Sequence, residues 1–264
     1  MRTASLLSSL GLALALSACT SFYEIPVETP IQPKLDVAPF QRVFIVGFIT
    51  GGTDDVDANL ETVRLLRSQL RTKSTLKVVD ADVLPLNEIA AEQRQGEPDS
   101  STATTDGGAT NGNHRQGEPI KIKDEKELEG YEHIFANVEF WKKLGEEYQN
   151  PLIVTGTVFF TPHSRSGYVQ REQEVYDPLG RRRVVPVRAY MERKGFILGP
   201  KFVFIDGRTG TTLYSERFRE EILYNAQNST PALSSYFELM DRIIPSFLST
   251  LSAQKIRGTR ILLK

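Results

Sequence analysis

The run Pro151-Leu152-Ile153-Val154-Thr155-Gly156-Thr157-Val158-Phe159-Phe160 decides the fold class of this chain. Its length and its content of β-branched and aromatic residues read as a buried strand. A helical pattern around residues 134–147 leads into it. A long hairpin leads out of it, with Asp177-Pro178-Leu179-Gly180 at the tip. Proline presets the first central turn angle there, and glycine accepts the left-handed one. The return arm runs through Val184–Glu192, and Phe196–Ile205 reads as a further strand. Asp206-Gly207-Arg208-Thr209-Gly210 then turns the chain into Thr212–Phe218.

Strands and helices alternate before that run. Arg42-Val43-Phe44-Ile45-Val46-Gly47-Phe48-Ile49 reads as one buried strand, and Leu76-Lys77-Val78-Val79-Asp80 as another. Between them, Leu60, Val63, Leu66 and Leu70 fall on one face of a helix over residues 57–71. Asp55 and Asp57 suit its N-terminus, where carboxylates meet free amides and the positive end of the dipole. A closing helix starts at Pro231 and turns Leu233, Phe237, Met240, Ile244, Phe247 and Leu251 inward; Pro245 should kink it. Alternating units followed by hairpins predict an α/β (α+β) fold, a mixed sheet with helices packed on it. One domain over residues 41–264 is expected. It carries the hairpin extension at 165–195 and an insertion at 91–122 that is too polar to offset its ordering entropy. Arg94-Gln95-Gly96-Glu97-Pro98 recurs in that insertion as Arg115-Gln116-Gly117-Glu118-Pro119, which reads as slippage in an unconstrained loop.

The N-terminus gives an address. Arg2 precedes an apolar stretch that ends in Leu16-Ser17-Ala18-Cys19, and Cys19 is the only cysteine of the 264 residues. Residues 1–19 have the parts of an export signal and are shorter than a bilayer span of roughly 20 apolar residues. The end of the run resembles a bacterial lipobox, which implies that Cys19 is lipidated, palmitate among its acyl groups, and becomes the mature N-terminus. An ordinary secretory signal cut after Ala18 is the alternative. Thr20 is not the aspartate associated with inner-membrane retention, so the resemblance implies the outer membrane, periplasmic face. With one cysteine, no internal disulfide can form. Residues 20–40 hold Pro26, Pro30, Pro33 and Pro39 without helical periodicity, and read as a semi-extended tether. Loss of Arg2 takes the formal net charge from −1 to −2, a balance that does not suggest nucleic acid or another polyanion as partner.

No cluster of residues stands out as catalytic, and no cofactor is expected. Gly47, Gly51 and Gly52 superficially resemble a phosphate loop, but the spacing fits neither nucleotide motif and Asp54, Asp55 and Asp57 would repel an anion. Those aspartates lack an EF-hand register, so no metal site is assigned. His114, His133 and His163 form no metal-ligand pair and accompany no nucleophile motif. Asn228-Ser229-Thr230 matches a glycosylation sequon without weight in a bacterial lipoprotein. Arg181, Arg182 and Arg183 follow the hairpin turn, with Tyr176 before it and Arg188 beyond. These five residues are the candidate partner-binding set. Their other reading is a solvated tip, with Glu172 and Glu174 pairing across the hairpin.

The order of blocks, with Val46-Gly47-Phe48, Val154-Thr155-Gly156-Thr157-Val158 and the Asp206–Gly210 turn, resembles the envelope domain of curli-secretion lipoproteins. The same domain occurs at the N-terminus of the Tol-system translocation protein and in lipoprotein activators of penicillin-binding proteins. The resemblance implies a membrane-tethered interaction domain facing an envelope protein, with no catalysis. A subunit of an oligomeric secretion or transport assembly is the second expectation, and an envelope-polymer hydrolase the third. The arm Gly167–Tyr176 carries charge or amide on both faces, so it lacks the lipid-facing band of a membrane barrel.

Overall fold

Alternate residues of one long strand serve two different cores, and this sets the architecture. The computed structural model describes residues 22–96, 120–225, 227 and 230–263. Cys19, His114, Asn228 and Ser229 of the sequon, and most of the 91–122 insertion lie outside them. Strands β5 (Leu152–Tyr176) and β6 (Arg182–Asp206) pair antiparallel without a break, from Leu152↔Asp206 to Tyr176↔Arg182. Their inner halves form the centre of a mixed sheet. There β2 (Arg42–Ile45) runs parallel to β5, β4 (Lys77–Val78) parallel to β2, and β7 (Thr212–Arg217) antiparallel to β6. Further along, β3 (Ile49–Gly52) joins β5 and β8 (Glu220–Asn225) joins β6.

Leu152, Val154, Val158 and Phe160 face α1 (Ala58–Lys73) and α5 (Ala232–Leu251), together with Phe202 and Phe204. Ile153, Val203 and Ile205 face the other way. They meet α2 (Leu86–Gly96), α3 (Glu125–Glu129), a 3-10 turn (Glu132–Ala136) and α4 (Val138–Glu147). Period-2 alternation with both faces buried explains the near-continuous apolar run. Asp57 caps α1 by accepting from the Leu60 N–H at 3.0 Å. Inside the first core, Thr62 donates to the Ala58 carbonyl at 2.5 Å, and Tyr236 of α5 donates to the same oxygen at 3.2 Å. The Tyr236 bond ties the two helices together, and both hydroxyls are buried. In the second core Trp141 is fully buried and its indole donates to the Ile134 carbonyl at 2.7 Å.

Several sequence expectations are corrected. The run 42–49 is two strands, because three residues (46–48) stand opposite two (155–156) between the Ile45↔Val154 and Ile49↔Thr157 pairs. This is a bulge. Gly47 sits there at φ 155°, and an added Cβ would lie 2.6 Å from the Leu84 carbonyl. The displaced Gly47 carbonyl accepts from Thr155 Oγ1 at 2.9 Å, and the Phe48 N–H donates to Asn59 Oδ1 at 2.8 Å. The helical stretch before β5 is a 3-10 turn and then α4, separated by Asn137, which caps α4 through the Phe140 N–H. Val184–Glu192 and Phe196–Ile205 are parts of one strand. Leu233, in the first turn of α5, is 46% exposed; burial on this helix begins at Ser235.

The largest correction concerns the ends. Phe22–Ile31, expected to be an unpaired tether, is strand β1, and it pairs antiparallel with β9 (Gln254–Leu263). Alternate residues of a strand direct their N–H groups to opposite edges. The even spacing of Pro26 and Pro30 therefore removes donors from one edge only and leaves the other able to pair. Leu35–Leu251 forms one compact unit, and the β1–β9 ribbon belongs to a second.

Candidate functional site

The β5–β6 hairpin outruns the sheet. The pairing of β8 with β6 ends at Arg193↔Asn225. Beyond it, among the described residues, Ser166–Tyr176 and Arg182–Glu192 pair only with each other. At about 3.4 Å per residue this two-stranded ribbon is roughly 37 Å long. The tip closes as the sequence predicts. The Gly180 N–H donates to the Asp177 carbonyl at 2.8 Å, and Gly180 takes the left-handed conformation at φ 75°. Asp177 Oδ1 accepts from the backbone N–H groups of Leu179 (3.0 Å) and Arg181 (2.9 Å).

Register assigns the ribbon's two faces. One carries Val169, Val185, Val187, Ala189 and Met191, interrupted by Arg171, Gln173 and Arg183. The other carries Tyr168 directly opposite Tyr190, their rings edge-to-face at 5.4 Å, and Tyr176 near the tip. These tyrosines are 77%, 62% and 67% exposed. Rings so exposed add little to the stability of the fold, whereas tyrosine is enriched in the centres of protein interfaces.

All five predicted partner-binding residues lie on this hairpin but do not form one patch. Tyr176, Arg182 and Arg188 share the tyrosine face. Arg183 points to the valine face, and Arg181 lies in the turn, where its Nε donates to Asp177 Oδ2 at 3.1 Å. Arg183 approaches the same carboxylate at 4.0 Å, and Arg182 pairs diagonally with Glu174 at 3.2 Å. Exposed pairs of this kind contribute about 0–1 kcal/mol, so the guanidinium groups remain available to an incoming acid. Sequence reading missed Tyr168 and Tyr190. Their mutual position follows from counting back from the turn, since every pair sums to the same register.

The other candidates resolve into structural roles. Asp54 pairs with Lys121 at 2.5 Å, Asp55 accepts from the Thr53 hydroxyl at 2.7 Å, and Asp57 caps α1. Asp54, Asp57 and Lys121 edge a cleft of about 280 Å³ floored by Thr50, Gly51 and Asn87. Asn87 is held by Thr50, accepting from its N–H at 2.8 Å and donating to its carbonyl at 3.0 Å. His133 Nδ1 lies 3.1 Å from the Gly130 carbonyl, and His163 Nε2 lies 3.4 Å from Glu221. In the Asp206–Gly210 turn, burial alone would raise the Asp206 pKa. The side-chain and backbone hydrogen bonds from Arg208, with its charge, outweigh that and hold the carboxyl below its ordinary value. No helix among the described residues is long and apolar enough to cross a membrane.

No family model and no curated protein matches this chain. Among solved structures it is similar to the PelC dodecamer from Paraburkholderia phytofirmans. That likeness has 11% identity and a TM-score of 0.36, over 87% of this chain and 100% of that one. It is also similar to lipoprotein GNA1162 from Neisseria meningitidis, at 13% identity and a TM-score of 0.32, over 78% of this chain and 96% of that one. At these identities and scores the likeness extends no function to this chain.

Proposed function

We propose that this chain is a non-enzymatic cell-envelope lipoprotein, acylated at Cys19 and held at the periplasmic face of the outer membrane, that acts as a protein-interaction and assembly module. The observation that carries the reading is the ribbon of residues 166–192. It exposes three tyrosines on one face, carries a half-buried aliphatic stripe on the other, and its outer edges are unpaired among the described residues. Unpaired edges offer backbone donors and acceptors for strand addition, a common mode of peptide recognition. The test is recovery of envelope proteins on the acylated chain with the hairpin intact or shortened across Glu172–Arg188. Loss of a specific partner from the shortened form supports the proposal, and undiminished recovery refutes it.

A second reading, a subunit of a homo-oligomeric assembly, is favoured by the charges of the two arms. Residues 166–176 hold one arginine against two glutamates, whereas 182–192 hold three arginines against one glutamate. An outgoing arm laid beside the return arm of the next copy therefore meets opposite charge, and two return arms side by side repel. Head-to-tail contact of this kind builds a ring where the rotation between copies closes, and an open filament where it does not. Sedimentation of a Cys19→Ala form at rising concentration tests it; a monomer at every concentration counts against the assembly.

A further inference from the structure

The β1–β9 ribbon has two unlike faces. Tyr23, Ile25, Val27 and Ile31 fall on one, with Thr29 and with Arg260 opposite Ile25. Glu24, Pro26, Glu28 and Pro30 fall on the other, where Glu28 bonds Arg257 at 3.0 Å and where Ile261, opposite Glu24, is the one exposed large apolar side chain of that face among the described residues. Tyr23 is 59% exposed, and Ile25 and Ile31 are each 43% exposed. An apolar face this open invites a cover, and chain length says which one. Only Thr20 and Ser21 separate Cys19 from Phe22 in the sequence. Three residue steps span at most about 11 Å in any conformation. The interfacial zone of a bilayer leaflet is itself roughly 5–8 Å deep.

Resting on the proposed acylation of Cys19, we infer that the β1–β9 ribbon is a membrane-contact element, its Tyr23–Ile25–Val27–Ile31 face seated among lipid headgroups and the first acyl carbons. An acyl anchor holds the start of β1 within reach of that zone. Of residues 20–40, expected to form a tether, Phe22–Ile31 is the strand itself, which leaves two residues between Cys19 and the ribbon. Tyrosine is at home at this depth, and Arg260 on the same face can extend its guanidinium to lipid phosphates. The ribbon lies flat and shallow instead of inserting, since its outer edges would be left without hydrogen-bond partners in hydrocarbon. Alternation along β1 then turns the Glu24 and Glu28 face toward water.

The test uses the full acylated chain in phosphatidylethanolamine–phosphatidylglycerol vesicles. Trp141 is the only native tryptophan and is fully buried, so it gives a constant background. Tryptophan is placed at Ile25→Trp or Tyr23→Trp on the apolar face, and at Glu24→Trp on the other. Lipids brominated near the headgroup end of the acyl chain should quench the apolar-face probes about threefold more than the Glu24→Trp probe. Bromines near the chain terminus should quench them less. Equal quenching on the two faces, or none on either, overturns the inference. So does shielding from acrylamide without bromolipid quenching, which marks a protein occupant, a second copy if it grows with concentration. Palmitate labelling separates the two claims: absence of label in the wild-type chain refutes the anchor and the inference together. Label at Cys19 without face-selective quenching refutes the inference alone.

Discussion

Replacing Thr155 by valine tests whether the bulge of β2 and β3 against β5 is held by one side-chain bond. Thr155 is fully buried, and its hydroxyl donates to the Gly47 carbonyl at 2.9 Å. Valine keeps the shape and removes the donor. The Gly47 carbonyl has been pushed out of the ladder by the extra residue, so no strand neighbour in register replaces that donor. Leaving a buried acceptor unmet costs about 1–3 kcal/mol. A domain of this size loses about 2–4 °C of melting temperature per kcal/mol, so a midpoint drop of about 4–8 °C is expected for a 2 kcal/mol loss. The control is Thr157→Val, two residues along the same strand, also buried but without a bond to the bulge. Urea and thermal melts followed by circular dichroism supply both numbers. If Thr155→Val is as stable as the wild type, or falls no further than Thr157→Val, the reasoning fails.

Phe247 is fully buried in α5 and contacts the rings of Phe202 and Phe204 at centroid distances of 4.8 and 5.9 Å. Phe247→Ala should cost about 3–5 kcal/mol, read as a lower urea midpoint with an unchanged slope. Gly210 stands at φ 74°, and an added Cβ would lie 2.1 Å from the Val138 carbonyl. Gly210→Ala should therefore destabilise the turn and the N-terminal end of α4 by at least about 1–3 kcal/mol, measured by the same melts. The folded pKa of Asp206 is held below its unfolded value, so its contribution to stability is present above about pH 4. It is lost as pH falls through the folded value. Asp206→Asn should lower stability at neutral pH and narrow the gap to wild type as the solution is acidified below pH ~4; a gap constant from neutral pH to pH ~2 would refute the assignment.

Elements whose pattern is local were legible. The apolar run 152–160, the helix beginning at Asp57 and the Asp177–Gly180 turn each carry their own signal, a period, a cap or a paired Pro and Gly. The bulge at Gly47 was not, for a physical reason. A strand buried on both faces has no polar phase to slip, so one extra residue leaves the apolar pattern unchanged. The β1–β9 pairing was hidden by distance and by proline. Its partners lie more than two hundred residues apart, and four prolines in twenty residues read as an extended coil unless their spacing is weighed edge by edge. For the site, the basic tip was visible as a charge run, while the Tyr168–Tyr190 pair emerged only with the register.

The inner and outer halves of β5 and β6 obey the same alternation to different ends. Inside, residues 152–160 alternate between two cores, and each is covered. Outside, the alternation persists, with tyrosines and Val184 on one face and Val169, Val185 and Val187, half-buried, on the opposite one, and the tyrosines stay exposed. Cross-strand contacts contribute about 0.2–1 kcal/mol each, against roughly 1–2 kcal/mol for ordering each backbone. The ribbon therefore keeps its order chiefly because its stem is locked in the sheet. Its exposed side chains add only those cross-strand contacts to the fold. Stability explains the stem; under the proposed function, the face that Tyr168, Tyr190 and Tyr176 present is there for a partner.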